Sequence, residues 1–176
     1  MSDILYKDVI IDGKKYQKGD WKKYSIHNEG NICGFFGPYK WLSNFYKCPV
    51  LYQGIIYPSS ENAYQAAKIV PDQRELFISF SAEEAKVSWK QERFTKLYTP
   101  KEFDSKKQEI MFEILIFKFY KNKELGQKLR EVKDKYLEET NWWHDNFWGN
   151  CICEDCRGKG ENNLGKTLMS LRGMIK

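Results

Sequence analysis

A mainly helical α+β fold with a small β element near its start is what this sequence predicts, and three observations carry that expectation. Beyond residue 60, apolar residues recur at helical spacing in several successive segments. Before them lies a stretch too rich in Gly, Pro and aromatics to sustain a helix. The length, 176 residues without an internal repeat, suits one domain with a sizeable core.

Taken in order, residues 1–30 form an amino-terminal extension. In it Val9-Ile10-Ile11 and the turn signal Asp12-Gly13 read as a hairpin. Residues 31–176 form the domain proper. From Cys33 to Tyr57 the chain carries Phe35, Phe36, Pro38, Tyr39, Trp41, Phe45, Tyr46, Pro49, Tyr52 and Gly54, which fits short strands and turns. A helix is expected from Glu61 to Ile69, capped within Pro58-Ser59-Ser60 and stopped before Pro71. A second is expected over Ala82–Lys90. The third should start at Asp104 or Ser105 and lie deep in the core through Ile110, Met111, Ile114, Leu115, Phe117 and Phe119. Leu125–Tyr136 reads as a fourth, Trp142–Gly160 as an ordered loop, and Leu164, Leu168, Leu171 and Ile175 mark a final amphipathic helix.

Composition bounds the function. No apolar run approaches the roughly 18 residues of a membrane span, and Asp3, Lys7 and Asp8 interrupt the amino terminus where a secretory signal would be apolar. A cytoplasmic protein without a membrane partner is the expectation. Lys and Arg outnumber acids 29 to 24, a net charge of +5 that suits anionic partners such as phosphates. Lys and Glu alternate through Lys121–Lys135, so that segment reads as a solvated mixed surface and not the basic stripe of a nucleic-acid binder.

Three segments carry residues suited to chemistry. On the helix from Glu61, side chains three, four and seven residues apart share a face, which aligns Glu61, Tyr64, Gln65 and Lys68. Ala63, Ala66 and Ala67 allow close packing, so this polar stripe can line a cavity. Taken alone, the pattern is more often that of an exposed capping acid and a solvated lysine. The second segment, Trp142 to Gly149, sets three tryptophans around His144 and Asp145, offering flat walls for a base and a carboxylate for a sugar. The third, Gly158 to Gly165, is a glycine-rich turn feeding a helix, where free backbone N–H groups favour an anion and Lys159, Lys166 and Arg172 lie near in sequence. Between them stand Cys151, Cys153 and Cys156. They are one ligand short of a structural zinc site, which Cys33, Cys48 or His144 would have to complete, so no metal is assigned.

In this order the segments resemble the NADAR, or YbiA-like, family, from Gly34 through Arg172. The resemblance rests on Phe36-Gly37 with Leu42-Ser43-Asn44-Phe45, on Gly54 to Glu61, and on Tyr64-Gln65-Ala66-Ala67-Lys68. It continues through Met111, Lys118-Phe119 and Asp145-Asn146-Phe147-Trp148-Gly149 to Gly160, Asn162, Leu164-Gly165, Leu168-Met169 and Leu171-Arg172. It implies a hydrolase that cuts the C1′–N bond of a phosphorylated ribosyl or ADP-ribosyl base without metal or organic cofactor. Its substrates would be ribosylamino-pyrimidine phosphates of the early riboflavin pathway, or ADP-ribosylated guanine within nucleic acid.

Carried over by position, Glu61, Asp145 and Lys68 would be catalytic. Asn44, Phe45, Tyr64, Trp148, Gly149, Asn162, Gly165 and Arg172 would bind substrate. The chain departs from the pattern at Phe103, where many relatives have Trp, and in its cysteine-bearing loop. A binding module for NAD or ADP-ribose without turnover is the alternative, and a zinc-dependent nucleic-acid protein using the three cysteines is a third reading.

Overall fold

The computed structural model describes residues 25–175, together with the backbone of Val9–Ile11 (β1) and Lys14–Tyr16 (β2). These two strands pair antiparallel, with Ile11 opposite Lys14, while the expected turn residues Asp12 and Gly13 lie outside the described residues. Contacts divide the chain into two units. A mid-chain unit spans Asn44–Glu131, joined by Ile175, and a second gathers the described residues of Met1–Ser43 with Val132–Met174.

The mid-chain unit begins with a hairpin, Val50–Tyr52 (β5) against Ile55–Tyr57 (β6). Its two-residue turn puts both Gln53 and Gly54 at positive φ, 45° and 85°, as the right-handed twist of paired strands requires. Ser60–Ala66 (α1) follows. The Ser59 hydroxyl accepts from the Asn62 N–H and so satisfies one of the donors that a helix start leaves open. A 3-10 segment, Pro71–Ile78, leads to Ala82–Ser88 (α2), opened by a capping box between Ser81 and Glu84.

Pro100–Ile116 (α3) starts earlier than expected. Thr99 and Glu102 form a second capping box with Pro100 at the first helical position, so neither Asp104 nor Ser105 is the cap. Its first half is largely exposed. Only the stripe Ile110, Met111, Ile114 and Leu115 is buried, and a π-helical turn, Phe117–Lys121, then carries Phe119 into the core. Lys123–Glu131 (α4) packs so closely on that turn that a Cβ on Gly126 would collide with the Phe119 carbonyl oxygen.

In the second unit, Ile26–His27 (β3), Asn31–Cys33 (β4) and Tyr136–Glu138 (β7) form one sheet, with β4 and β7 parallel. Here the sequence expectation of a helix to Tyr136 is corrected. α4 ends at Glu131, Lys133 turns the chain with φ 45°, and Tyr136 enters a strand. Thr140–Asn141 (β8), Asn150–Cys151 (β9) and Lys159–Gly160 (β10) form a further small sheet. Strands are therefore spread along the chain and not confined to its start. Asn163–Met174 (α5) packs on β7, where a Cβ on Gly165 would strike the Leu137 carbonyl oxygen. No described helix is long and apolar enough to cross a membrane.

Candidate active site

In the mid-chain unit the α1 stripe is buried, which removes the solvated reading of it. Glu61 is 6% exposed and Gln65 5%. The Gln65 Nε2 donates to Glu61 Oε1 at 2.7 Å, so one turn of helix holds the carboxylate in place. The Glu61 N–H donates to the Asn44 carbonyl oxygen at 3.0 Å, which ties Asn44 to the helix start. Asn44 itself is 8% exposed, and its Nδ2 contacts Met111 Sδ at 3.5 Å. Among the described residues, Asn44 Oδ1, Gln65 Oε1 and Ser60 Oγ are buried without a hydrogen-bond partner. Native structures rarely leave such atoms unmatched, and two of these belong to residues hydrogen-bonded to Glu61.

Lys68 lies just beyond α1, which ends at Ala66 with Ala67 as its C-cap, shorter than the expected run to Ile69. Its Nζ sits 4.1 Å from the ring centroid of Trp89, 5.0 Å from Tyr64 and 5.1 Å from Phe103. Three aromatic faces thus surround the ammonium, an arrangement that attracts a cation while stripping its water. Burial lowers the Lys68 pKa to about 8; Glu61 pulls it back up, and Lys90, Lys86 and Lys107 press it further down. Tyr64 and Phe103 also pack on one another at 5.5 Å, and Phe45 lies under Lys86 at 5.4 Å. Trp89 was not foreseen. It stands far along the chain from the α1 pattern, and only its aromatic character pointed to it.

In the second unit, Asp145 and Trp148 sit in a loop organised by Asn141, which is fully buried. Asn141 Oδ1 accepts from the N–H groups of Trp143 and Asp145, both at 3.2 Å, and its Nδ2 donates to the Asp145 carbonyl oxygen at 2.8 Å. Asp145 Oδ1 in turn accepts from the Trp148 N–H at 2.9 Å, and the Trp148 ring meets Phe147 edge-on at 4.9 Å. A Cβ on Gly149 would collide with the Glu139 carbonyl oxygen, so only glycine fits.

The glycine-rich turn is less open than its sequence suggested. The N–H groups of Asn163 and Leu164 donate to the carbonyls of Phe147 and Trp148, which occupies two of the donors expected for an anion. Asn162 takes φ 51°, accepts from the Glu139 N–H, and donates to Leu137 O and Tyr136 Oη. Arg172 stands in the last turn of α5, roughly 13 Å along the helix axis from its first turn. One nitrogen of its guanidinium donates to the Lys135 carbonyl oxygen, which tethers the approach to β7.

The cysteine loop converges. The ligand atoms of His144, Cys151, Cys153 and Cys156 all lie within 4.8 Å of one another, and the fourth member is His144, not Cys33 or Cys48.

Residues 27–176 match the family model described as NADAR domain. The chain belongs to this family. Among curated proteins, this NADAR chain is 33% identical over 131 residues to a riboflavin biosynthesis protein of Vibrio vulnificus (strain YJ016), covering 74% of the chain and 34% of that protein. The chain thus spans about a third of that relative's length. It is 32% identical over 136 residues to the N-glycosidase YbiA of Escherichia coli (strain K12), covering 76% of the chain and 80% of YbiA. An N-glycosidase of Nostoc punctiforme is 31% identical over 144 residues, 79% of the chain and 87% of that protein. Among solved structures, the NMR structure of E. coli YbiA superposes with a TM-score of 0.67 at 26% identity, over 86% of this chain and 88% of that one.

Within this NADAR domain, Phe103 forms one wall around Lys68.

Proposed function

We propose that this NADAR domain is an N-glycosidase, a hydrolase that cleaves the C1′–N bond of a phosphorylated ribosyl or ADP-ribosyl base. The observation that carries the reading is the buried set at α1: the Glu61 carboxylate held by Gln65, a lysine with a lowered pKa one turn further on, and unmatched oxygens on Asn44 and Gln65. The names of the YbiA and Nostoc relatives support the same reaction class.

The chemistry calls for these groups. Breaking C1′–N builds positive charge on the sugar and negative charge on the departing base, so the transition state needs a nearby anion, a proton for the base and a water. Glu61 stabilises the oxocarbenium-like carbon and draws a proton from the attacking water as its oxygen bonds C1′. Hydroxyl from the water ends on C1′ and the proton taken up by Glu61 is passed on to the departing base nitrogen, which restores the carboxylate. Lys68 supplies positive charge to a phosphate or to the leaving group, and the unmatched oxygens of Asn44 and Gln65 are suited to accept from sugar hydroxyls. Asp145 is proposed from the family resemblance as a second functional carboxylate. One of its oxygens is engaged by Trp148 in shaping the loop.

The substrates proposed are a ribosylamino-pyrimidine phosphate, supported by the riboflavin-biosynthesis name of the Vibrio relative, or ADP-ribosylated guanine in nucleic acid. Incubation with each, followed by mass analysis of the products, tests both. Wild type should release free base from at least one, and Glu61→Gln should bind it without release. If wild type and variant both bind ADP-ribose tightly and neither frees a base from any ribosylated substrate, the domain is a binding module and the hydrolase reading falls.

A further inference from the structure

We infer that Cys151, Cys153, Cys156 and His144 form a structural zinc site that locks the loop carrying Asp145 and Trp148. The inference is independent of the N-glycosidase reading. The chemistry of the donor set comes first. Three thiols and an imidazole are the ligands that tetrahedral Zn²⁺ selects, and four protein ligands close its coordination shell, which marks a structural ion and not a catalytic one.

Geometry agrees. With Zn–S near 2.3 Å and Zn–N near 2.0 Å, a tetrahedron separates its nitrogen from each sulfur by about 3.5 Å. His144 Nδ1 lies 3.3 Å from Cys156 Sγ and 3.6 Å from Cys153 Sγ. All four ligand atoms fall within a 4.8 Å span. The three cysteines are buried, forming a small cluster of their own, while the His144 side reaches solvent and gives an ion a way in.

The surroundings prepare the sulfurs for negative charge. The His144 N–H donates to Cys151 Sγ at 3.4 Å, and Asn146 Nδ2 donates to Cys156 Sγ at 3.3 Å. Such donors to ligand sulfur are the outer shell that orients thiolates. Two tight turns close the loop, with Arg157 N–H to Cys153 O and Gly158 N–H to Cys151 O, both at 2.8 Å. His144 adopts φ 64°, a left-handed conformation that costs a non-glycine residue energy, and coordination would offset that cost by fixing the ring. Loading exchanges three thiol protons for one Zn²⁺, and the site keeps one net negative charge.

The position gives the ion its purpose. Cys151 lies in β9, just after Gly149 and Asn150 in the chain, and His144 immediately precedes Asp145, so a bound ion ties both ends of the segment that presents Asp145 and Trp148.

The test uses the whole chain, purified under reducing conditions after growth with zinc. Elemental analysis should find one zinc per chain. Titrating the chelated protein with Zn²⁺ should release three protons per ion, read with a pH indicator, and raise Tm by roughly 10 °C. Substitution with Co²⁺ should give the visible bands of a tetrahedral thiolate-rich site. Cys156→Ser and His144→Ala should lose the metal, and Cys33→Ser should retain it. Because the variants could fail to fold, the wild-type titration decides. Protein that is metal-free as purified and takes up neither Zn²⁺ nor Co²⁺ overturns the inference, as does full zinc retention in both Cys156→Ser and His144→Ala. Neither result touches the hydrolase reading, whose readout is base release.

Discussion

The Glu61 carboxylate is held within its own helix, by Gln65 one turn after it and behind the Ser59 cap, with Asn44 a support from farther along the chain, whereas the loop of Asp145, pinned locally by Asn141 and Trp148, is held in turn by Glu139 and by the start of α5. The first arrangement survives as long as one short helix survives. The second needs Asn141 in β8, the close approach at Gly149 and the donors from the start of α5 all at once. A local site tolerates change around it and fails when its own side chains change. A convergent site fails when any of its distant supports is altered.

The largest effect should come from Glu61→Gln, which keeps the shape of the stripe and removes its charge. We expect turnover to fall about 10²–10³-fold, measured by base release, with Tm near that of wild type. A large loss of stability instead would show that the α1 site is as dependent on distant packing as the loop. Next is Gly149→Ala. A methyl group aimed at the Glu139 carbonyl should cost about 1–3 kcal/mol, a fall in Tm of about 2–4 °C for each kcal/mol. An unchanged melting curve would break the contrast.

Lys68 sharpens the α1 side. If its ammonium serves the reaction, kcat/KM should decline as pH rises through about 8, far below the ordinary lysine value of 10.5. Lys68→Arg should move that limb to higher pH, since guanidinium stays charged. The sign for stability is opposite. The unfolded chain binds more protons at this group between pH 8 and 10.5, so Lys68 makes folding more favourable as pH rises across that window. The smallest effect is expected for Thr99→Ala. It removes the cap that starts α3 ahead of Phe103, costs about 1 kcal/mol in Tm measurements, and shifts the pH limb of Lys68 only if Phe103 moves.

Much of the helical framework was legible. The α1 stripe, α2 and α5 follow from apolar spacing and cap residues within a few positions of one another, because a helix is a local structure. The start of α3 was missed because its exposed first half shows no apolar period, although Thr99-Pro100-Lys101-Glu102 carried the capping signal. The helical spacing of Leu125, Leu129 and Val132 carries the expected helix as far as Tyr136, the first residue of β7, whose partner β4 lies roughly a hundred residues earlier.

By itself the sequence determined the family, through motifs spread from Gly34 to Arg172, and the burial-ready face of Glu61, Tyr64 and Gln65, because side chains three and four apart on a helix must share a side. Only the tertiary structure decided that Trp89 and Phe103 enclose Lys68, that Asn141 organises the Asp145 loop, that Arg172 is a tether, and that His144 joins the three cysteines. Those meetings join residues distant along the chain or held by turns at positive φ. Nothing in a local period records which of many remote side chains the folded backbone will bring within reach.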